Sequence, residues 1–483
     1  MRKFLMLVAI VGLATLVAVP AMALDFKFGS EYRVRFYSNL NGSQANLGID
    51  EGPNTARGVQ IRLRPRFEVS DDNGNMQAVL TFEIGDVEFG NGGGPSGASN
   101  GVSVSPGSNR VGPSSGGAMG TDGINVETKN AYVDFAMPWG VPLRWRAGLQ
   151  GWYESKGLIV DDDAAGVRGY GKAGILSYEI GWYRASGGPC ASAAAAACST
   201  SNTLDNNYDF YEGKVGVAVA KWLNPTVYYI YGRNAATNTT AAGFTGDPNK
   251  PVDVHFFGAA VNGDAGFLRY DLDFVYGSAE GSPTGNYTGG TADRIKTKGW
   301  VIDGGVHFPI GPALIHVVGS YATGDKQNGG DSEAMPYIAP SWNGAGGLYE
   351  LIGSGGAFDQ VDVTQDYPAG LWMLGGGAEY RPVKALWLRA MYGFAGFTDK
   401  KANCAFTEGV ARACFGPTYR GKGYNATTGR GGIAGESYLG HEVSLRADYD
   451  LWTNFKVQGA AGWLFPSSGS TVHEYVLQLL YKF

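Results

Sequence analysis

Three arginines occupy every second position of VQIRLRPRFEV, as Arg62, Arg64 and Arg66, while Ile61, Leu63, Phe67 and Val69 hold the opposite parity. The pattern recurs with Arg33 and Arg35 in YRVRF and with Arg144 and Arg146 in LRWRAGLQ. Successive side chains of a strand point to opposite faces, so each run sets its guanidinium groups about 7 Å apart on one face and its apolar groups on the other. The chemistry open to such an array is electrostatic: a fixed positive surface that attracts, orients or excludes ions. Acidic residues fall on the polar parity of other segments: Glu83, Asp134, Asp271, Asp273, Glu379, Glu442, Asp448 and Asp450. The arginines can therefore equally be ion-paired wall charges with no selectivity role.

Bond-making chemistry finds no support. The histidines, His255, His307, His316, His441 and His473, include no pair three or four residues apart and no cysteine neighbour, so metal-ligand spacing is absent. No haem-attachment motif and no lipase-like serine motif occurs. Gly169, Gly171 and Gly174 in GYGKAG match a dinucleotide-binding loop, but the following ILSYEIGWY alternates like a strand where that motif needs a helix. No catalytic residue, metal or cofactor is expected. Asp161, Asp162 and Asp163, and the carboxylates of GDKQNGGDSE (324–333), would suit a hard cation such as Ca²⁺. Their spacing is unordered, and each is read as a solvated loop tip.

The elements that must position the arginines are strands. LRYDLDFVY, YLGHEVSLRADYD and EYVLQLLYKF alternate as the arginine runs do. Eighteen segments read as strands, near 25–38, 57–70, 76–89, 125–137, 143–152, 164–172, 176–184, 207–221, 225–234, 252–262, 266–279, 297–309, 312–323, 369–380, 383–398, 435–450, 454–465 and 471–483. The count falls to sixteen if weak segments such as 164–172 fail. Tight turns such as DDNGN (71–75) and PIGP (309–312) alternate with long Gly- and Ser-rich stretches near 90–124, 185–206, 235–251, 280–296, 324–368 and 399–434. That rhythm, with apolar and polar faces in strict alternation, predicts an all-β fold: an antiparallel up-and-down transmembrane β-barrel with long extracellular loops over 24–483.

Composition agrees. Glycine supplies 76 of 483 residues, and charged residues only 17%. Tyr, Phe and Trp number 27, 23 and 11, the residues that collect where a barrel wall crosses membrane interfaces. Arg2, Lys3, an apolar run over 4–19 and Ala21-Met22-Ala23 read as a secretory signal peptide over 1–23. Without it the chain carries 36 basic against 44 acidic side chains, which argues against a nucleic-acid partner. At the other end, Tyr475, Leu477, Leu479, Tyr481 and Phe483 share one strand face, with Tyr481 and Phe483 resembling the terminal assembly signal of bacterial outer-membrane barrels. Expected partners are outer-membrane lipid and lipopolysaccharide, the barrel-assembly machinery and small hydrophilic solutes.

GGAMGTDGINVETKNAYVDFAMPWGVPLRWRAGLQGW, followed after a short gap by DDDAAGV, resembles the homotrimeric outer-membrane porins of sulfate-reducing and related delta-proteobacterial species over about 116–167. The resemblance implies a trimer of water-filled diffusion channels for small hydrophilic solutes, without catalysis. It identifies no binding residue. A substrate-specific channel for sugars or an anionic polysaccharide, and a structural or adhesive barrel with a plugged lumen, are the alternatives. The long, nearly uncharged stretch near 90–124 is expected to fold into or over the lumen.

Four cysteines fall in two local pairs inside long loops, Cys190 with Cys198 and Cys404 with Cys414. Three connectivities exist, and proximity favours the two local staples of an exported protein. Peptide mapping of protein taken from membranes is expected to show Cys190–Cys198 and Cys404–Cys414 links, with the barrel still folded after reduction; free thiols or cross-loop links would contradict it.

Overall fold

A computed structural model describes residues 24–40, 55–89, 126–187, 207–234, 240–241, 244–245, 252–281, 295–324, 333–353, 370–398, 438–467 and 471–483. All four cysteines, the leader over 1–23 and the stretch 90–124 lie outside the described residues.

Eighteen strands form one sheet. They are β1 (Leu24–Leu40), β2 (Thr55–Asp71), β3 (Met76–Glu88), β4 (Val126–Ala136), β5 (Leu143–Glu154), β6 (Val160–Ala173), β7 (Leu176–Gly187), β8 (Asn207–Val217) and β9 (Asn224–Asn234). The second half comprises β10 (Val252–Asp264), β11 (Arg269–Gly281), β12 (Ile295–Ile310), β13 (Ala313–Ala322), β14 (Leu371–Val383), β15 (Leu386–Phe397), β16 (Gly440–Trp452), β17 (Phe455–Pro466) and β18 (Val472–Lys482). Each pairs antiparallel with its chain neighbours, and β1 closes on β18 through Glu31↔Lys482 to Leu40↔His473. All eighteen expected segments are strands, the weak 164–172 included, so the sixteen-strand alternative falls away. One expectation is corrected. Asp161, Asp162 and Asp163 are not a solvated loop tip but the start of β6, paired with Tyr153, Trp152 and Gly151 of β5.

The alternation is visible in burial. On β18, Glu474, Val476 and Gln478 are buried while Tyr475 and Leu477 are exposed. Around the whole wall the outward face is aliphatic at mid-height, with Ile180, Val227, Leu272, Val317, Leu374, Leu445 and Leu477 exposed. Aromatics ring both ends of that band. Tyr211, Tyr229, Tyr276, Trp300, Tyr321 and Tyr475 stand toward the long-loop end, and Phe28, Trp222, Tyr380, Tyr449, Trp452 and Tyr481 toward the short-turn end. An apolar belt of this extent would be unstable against water. Against hydrocarbon it is the favoured surface, because the closed ladder leaves no backbone group unpaired at that depth.

The chain end is part of the wall. Ser30 and Phe483 exchange both backbone hydrogen bonds, at 2.7 and 3.0 Å, and the Phe483 ring lies 5.9 Å from Phe28 and 5.1 Å from Tyr481. A charge on the lipid face costs about 2–4 kcal/mol at the bilayer midplane and less near the interface. Phe483→Asp is expected to lower the amount of inserted protein more than it alters the conductance of what inserts; unchanged insertion would show that the terminal aromatic has no assembly role.

Candidate functional site in the barrel lumen

Among the described residues, two pieces of chain occupy the lumen. The first is the upper part of the β5–β6 hairpin. Trp152 stacks on Tyr183 of β7 (4.4 Å between centroids, 11° between planes), lies 5.1 Å from Phe210 of β8, and donates from Nε1 to Glu212 at 2.8 Å. At the tip, Ser155 Oγ bonds Tyr228 of β9, and Lys156 reaches Asp271 and Asp273 of β11 and Asp303 of β12. A tip that touches strands three to six places away must cross the interior.

The tip turns in the left-handed region at Ser155 (φ 48°), Lys156 (φ 55°) and Gly157 (φ 73°). That conformation costs roughly 1–2 kcal/mol for each residue with a Cβ. Two lysine knots hold the hairpin against it. Lys156 is paired with Asp271, with Asp273 at 2.9 Å and with Asp303 at 3.4 Å. Lys214, on the wall, is paired with Glu154 of the hairpin, Glu212 at 3.6 Å and Glu179 at 3.7 Å. Burial works against the Lys156 ammonium, but Asp303, Asp273 and Asp271 outweigh it and hold it above the ordinary lysine range. Lys156 thus has three carboxylates round one ammonium, and in the Lys214 knot Glu179 is also paired with Arg168 at 3.3 Å.

The second piece is 333–353. It runs beside the hairpin, with Asp161 N–H donating to Ala339 O at 2.7 Å, Ile338 N–H to Ile159 O at 2.9 Å and Asn343 N–H to Lys156 O at 2.7 Å. Its Ser341 and Asn343 side chains donate to Asp161 at 2.6 and 2.7 Å. Two buried carboxylates clamp it to the wall. Asp303 accepts the Ala345 N–H and the Trp342 indole, all at 3.1 Å. Glu442 accepts three successive backbone N–H groups, of Glu350, Leu351 and Ile352, at 2.6–3.1 Å. A buried carboxylate is tolerated only with such a full set of donors. Trp342, Tyr349, Leu351 and Ile352 are buried against Phe256, Val301, Val318 and Leu464 of the wall.

The wall is shaped for this segment by glycine. A Cβ at Gly393 would lie 2.6 Å from the Tyr349 ring, at Gly299 2.5 Å from Met335 N, and at Gly277 2.8 Å from Pro336. The segment is therefore a fixed filling and not a mobile flap.

The arginines stand on the remaining wall, β1 to β6, each facing inward. Arg33 donates to Asp86 at 2.5 Å, Arg62 to Glu31 at 3.2 Å, Arg64 to Glu83 and Arg66 to Glu68 at 3.2 Å. Arg35 is buried and donates to Gln478 at 3.2 Å. Arg144 and Arg146 both donate to Asp134 at 2.8 Å, which also accepts the Tyr170 hydroxyl at 2.6 Å. Arg146 lies 4.3 Å over the Tyr132 ring. Arg33, Arg62, Arg64 and Arg66 thus each meet a carboxylate, and the two arginines of β5 share one. The structure brings together Arg33, Arg62, Arg64 and Glu83 as one patch and Arg144, Arg146 and Asp134 as another. Lys156, Lys214, Asp303 and the segment 333–353 were missed by sequence reasoning. The one signal for them was the apolar content of AMPYIAPSW and LYELI, unusual in a solvated loop.

No protein-family model and no curated protein sequence matches the chain. Solved structures do. Pseudomonas aeruginosa OccK9 (OpdG) is similar with a TM-score of 0.53 at 9% identity, covering 95% of this chain and 98% of that one. P. aeruginosa OccK3 (OpdO) gives 0.52 at 11%, covering 95% and 96%. The P. aeruginosa outer membrane protein OpdK gives 0.51 at 9%, covering 95% and 98%. At such identity the likeness shows the eighteen-stranded barrel fold.

Lys156→Met is expected to release the hairpin tip, since a hydrogen bond to a charged group contributes roughly 1.5–3 kcal/mol. Single-channel recordings should show a noisier open level and a shift toward cations; an unchanged level would mean that the Glu154–Lys214 knot holds the hairpin alone.

Proposed function

We propose that the chain forms an outer-membrane porin, a water-filled channel for passive diffusion of ions and small hydrophilic solutes, without catalysis. The observation that carries this reading is the lumen itself. A closed barrel of this strand number encloses more cross-section than its own side chains fill. Its filling here is uneven: the buried apolar cluster draws on strands from β5 to β18 and on 333–353, whereas Arg62, Arg64 and Arg66 of β2 and Arg144 at the start of β5 keep 16–40% of their side chains exposed. An exported barrel with long loops at one end would sit with its short turns in the periplasm, and the family resemblance supports a homotrimer.

The pore then runs between a basic wall and an acidic one. Arg144 and Arg146 share the one carboxylate of Asp134, while Lys156 meets three carboxylates, those of Asp271, Asp273 and Asp303. Such opposed surfaces give a transverse field that orients dipolar solutes, with weak anion preference along the arginines. Screening falls off over about 8 Å at 0.15 M salt, so the effect is strongest in dilute solution. A second reading, a channel with a preferred substrate, is favoured by guanidinium groups stacked on lumen aromatics, Arg146 on Tyr132 and Arg389 and Arg446 on Trp387 at 5.5 and 5.3 Å. Saturable block by one solute would separate it from general diffusion, and a barrel without conductance would favour a structural role.

Arg62, Arg64 and Arg66 changed together to Gln are expected to move the reversal potential under a salt gradient toward cations. No movement at low ionic strength would leave them as wall charges neutralised by Glu31, Glu83 and Glu68.

A further inference from the structure

Two lumen-facing imidazoles meet on adjacent strands, His307 of β12 and His316 of β13, register partners in the sheet. Their Nδ1 atoms lie 2.8 Å apart. Outward from that contact, His307 Nε2 lies 2.8 Å from Asp271 Oδ1, and His316 Nε2 lies 3.5 Å from Glu379 Oε1. Three contacts thus run in line: carboxylate to ring, ring to ring, and ring to carboxylate. A carboxylate only accepts, so each end contact needs a hydrogen on the ring nitrogen, and the central one needs a single hydrogen between the rings. Three hydrogens are required. A neutral pair carries two.

His316 is 4% exposed, and its Nε2 faces Glu379 across the longest of the three contacts. A neutral pair that keeps the ring-to-ring bond leaves one bare ring nitrogen against a carboxylate, and one with both Nε2 atoms protonated leaves two bare Nδ1 lone pairs 2.8 Å apart; each is a repulsive contact in a site of low polarity. One added proton completes all three contacts.

Charged groups reach this region from several elements. From β11 the pair faces Asp271, with Asp273 beyond it, and Arg269, the register partner of His307, which is turned to Asp264 at 3.1 Å. From β12 comes Asp303, and from the hairpin tip Lys156 on Asp271. From β14 comes Glu379, and from β15 Arg389, register partner of Glu379, which is committed to Glu350 at 2.9 Å. Trp387 Nε1 donates to the other Glu379 oxygen at 3.1 Å. Asp271, Asp273 and Asp303 thus meet the Lys156 ammonium, and Asp271 and Glu379 meet the imidazole pair.

We propose that His307 and His316 form a single-proton binding site in the channel wall that sets ion selectivity, the bound proton cancelling one charge of the acidic wall and moving the pore toward anions. The proton comes from lumen water, stands on His316 Nε2, and is donated to Glu379. The proposal rests on the channel reading above and adds the residues through which pH would tune it. Histidine is the side chain whose charge ordinarily changes between pH 5 and 8, so that is the range to scan.

The test is the reversal potential of the whole protein in planar bilayers under a KCl gradient with a dilute side of about 0.01 M, where the screening length is about 30 Å. From about pH 8 to about pH 5 the wild type should shift toward anions, by roughly two-fold or more in permeability ratio. His316→Gln should stay near the wild-type high-pH value throughout. Glu379→Gln should stay near the low-pH value, because its amide can donate to His316 Nε2 while its carbonyl still accepts from Trp387. A wild type insensitive to pH, or an equal shift in His316→Gln, would overturn the proposal. If the barrel folds but does not conduct, the channel reading fails instead. Imidazole ¹⁵N spectra then decide the site: one extra proton shared by the pair at low pH supports it, and a pair neutral throughout refutes it.

Discussion

Every feature of this fold follows from one requirement: at membrane depth no backbone N–H or C=O can be left without a partner. A sheet meets that requirement only by closing, and here β1 closes on β18 down to the exchange between Ser30 and Phe483. Closure forces the two-residue period, because a strand with lipid on one side and the lumen on the other must change polarity at each step. It also separates two tasks cleanly. The outward set, from Leu272 to Leu477, is chosen for hydrocarbon. The inward set is free to carry charge.

That inward freedom is used asymmetrically. From β5 to β18 the wall gives up side-chain volume at Gly277, Gly299 and Gly393, and the space is taken by Met335, Pro336 and Tyr349 of 333–353. The segment cannot satisfy its own backbone there, so Asp303 and Glu442 do it from the wall. Charge serves as mortar on this side and as surface on the other, where the guanidinium groups of Arg62, Arg64, Arg66 and Arg144 keep contact with solvent.

The eighteen wall strands were legible in the sequence, apart from the start of β6, because the barrel's constraint acts residue by residue and prints a period of two; the two-residue strands at 240–241 and 244–245 lie in a stretch read as loop. VQIRLRPRFEV and EYVLQLLYKF each declare their faces without reference to any other segment. The arginine runs were legible for the same reason. Their partners were not: Arg33 meets Asp86, and Arg64 meets Glu83, through strand register, which no local pattern encodes. The lumen filling was illegible for a further reason. The glycines that receive 333–353 lie on separate strands in a chain already rich in glycine, so their footprint exists only once the sheet is curved. Asp161, Asp162 and Asp163 looked like a loop tip because nothing local says that the β5–β6 hairpin leaves the wall.

The uneven filling has an electrical consequence. Trp342, Tyr349, Leu351 and Ile352 with the wall residues around them form an insulator inside the barrel. Field lines from a charged wall spread through water but are repelled by a weakly polarisable body, so they crowd into whatever water is left. The same wall charges therefore act on a thinner aqueous layer than an empty barrel of this circumference would offer. A solute in that layer has lost sideways and tumbling freedom before any specific contact is made. The insulator thus makes modest wall charges matter to what passes them.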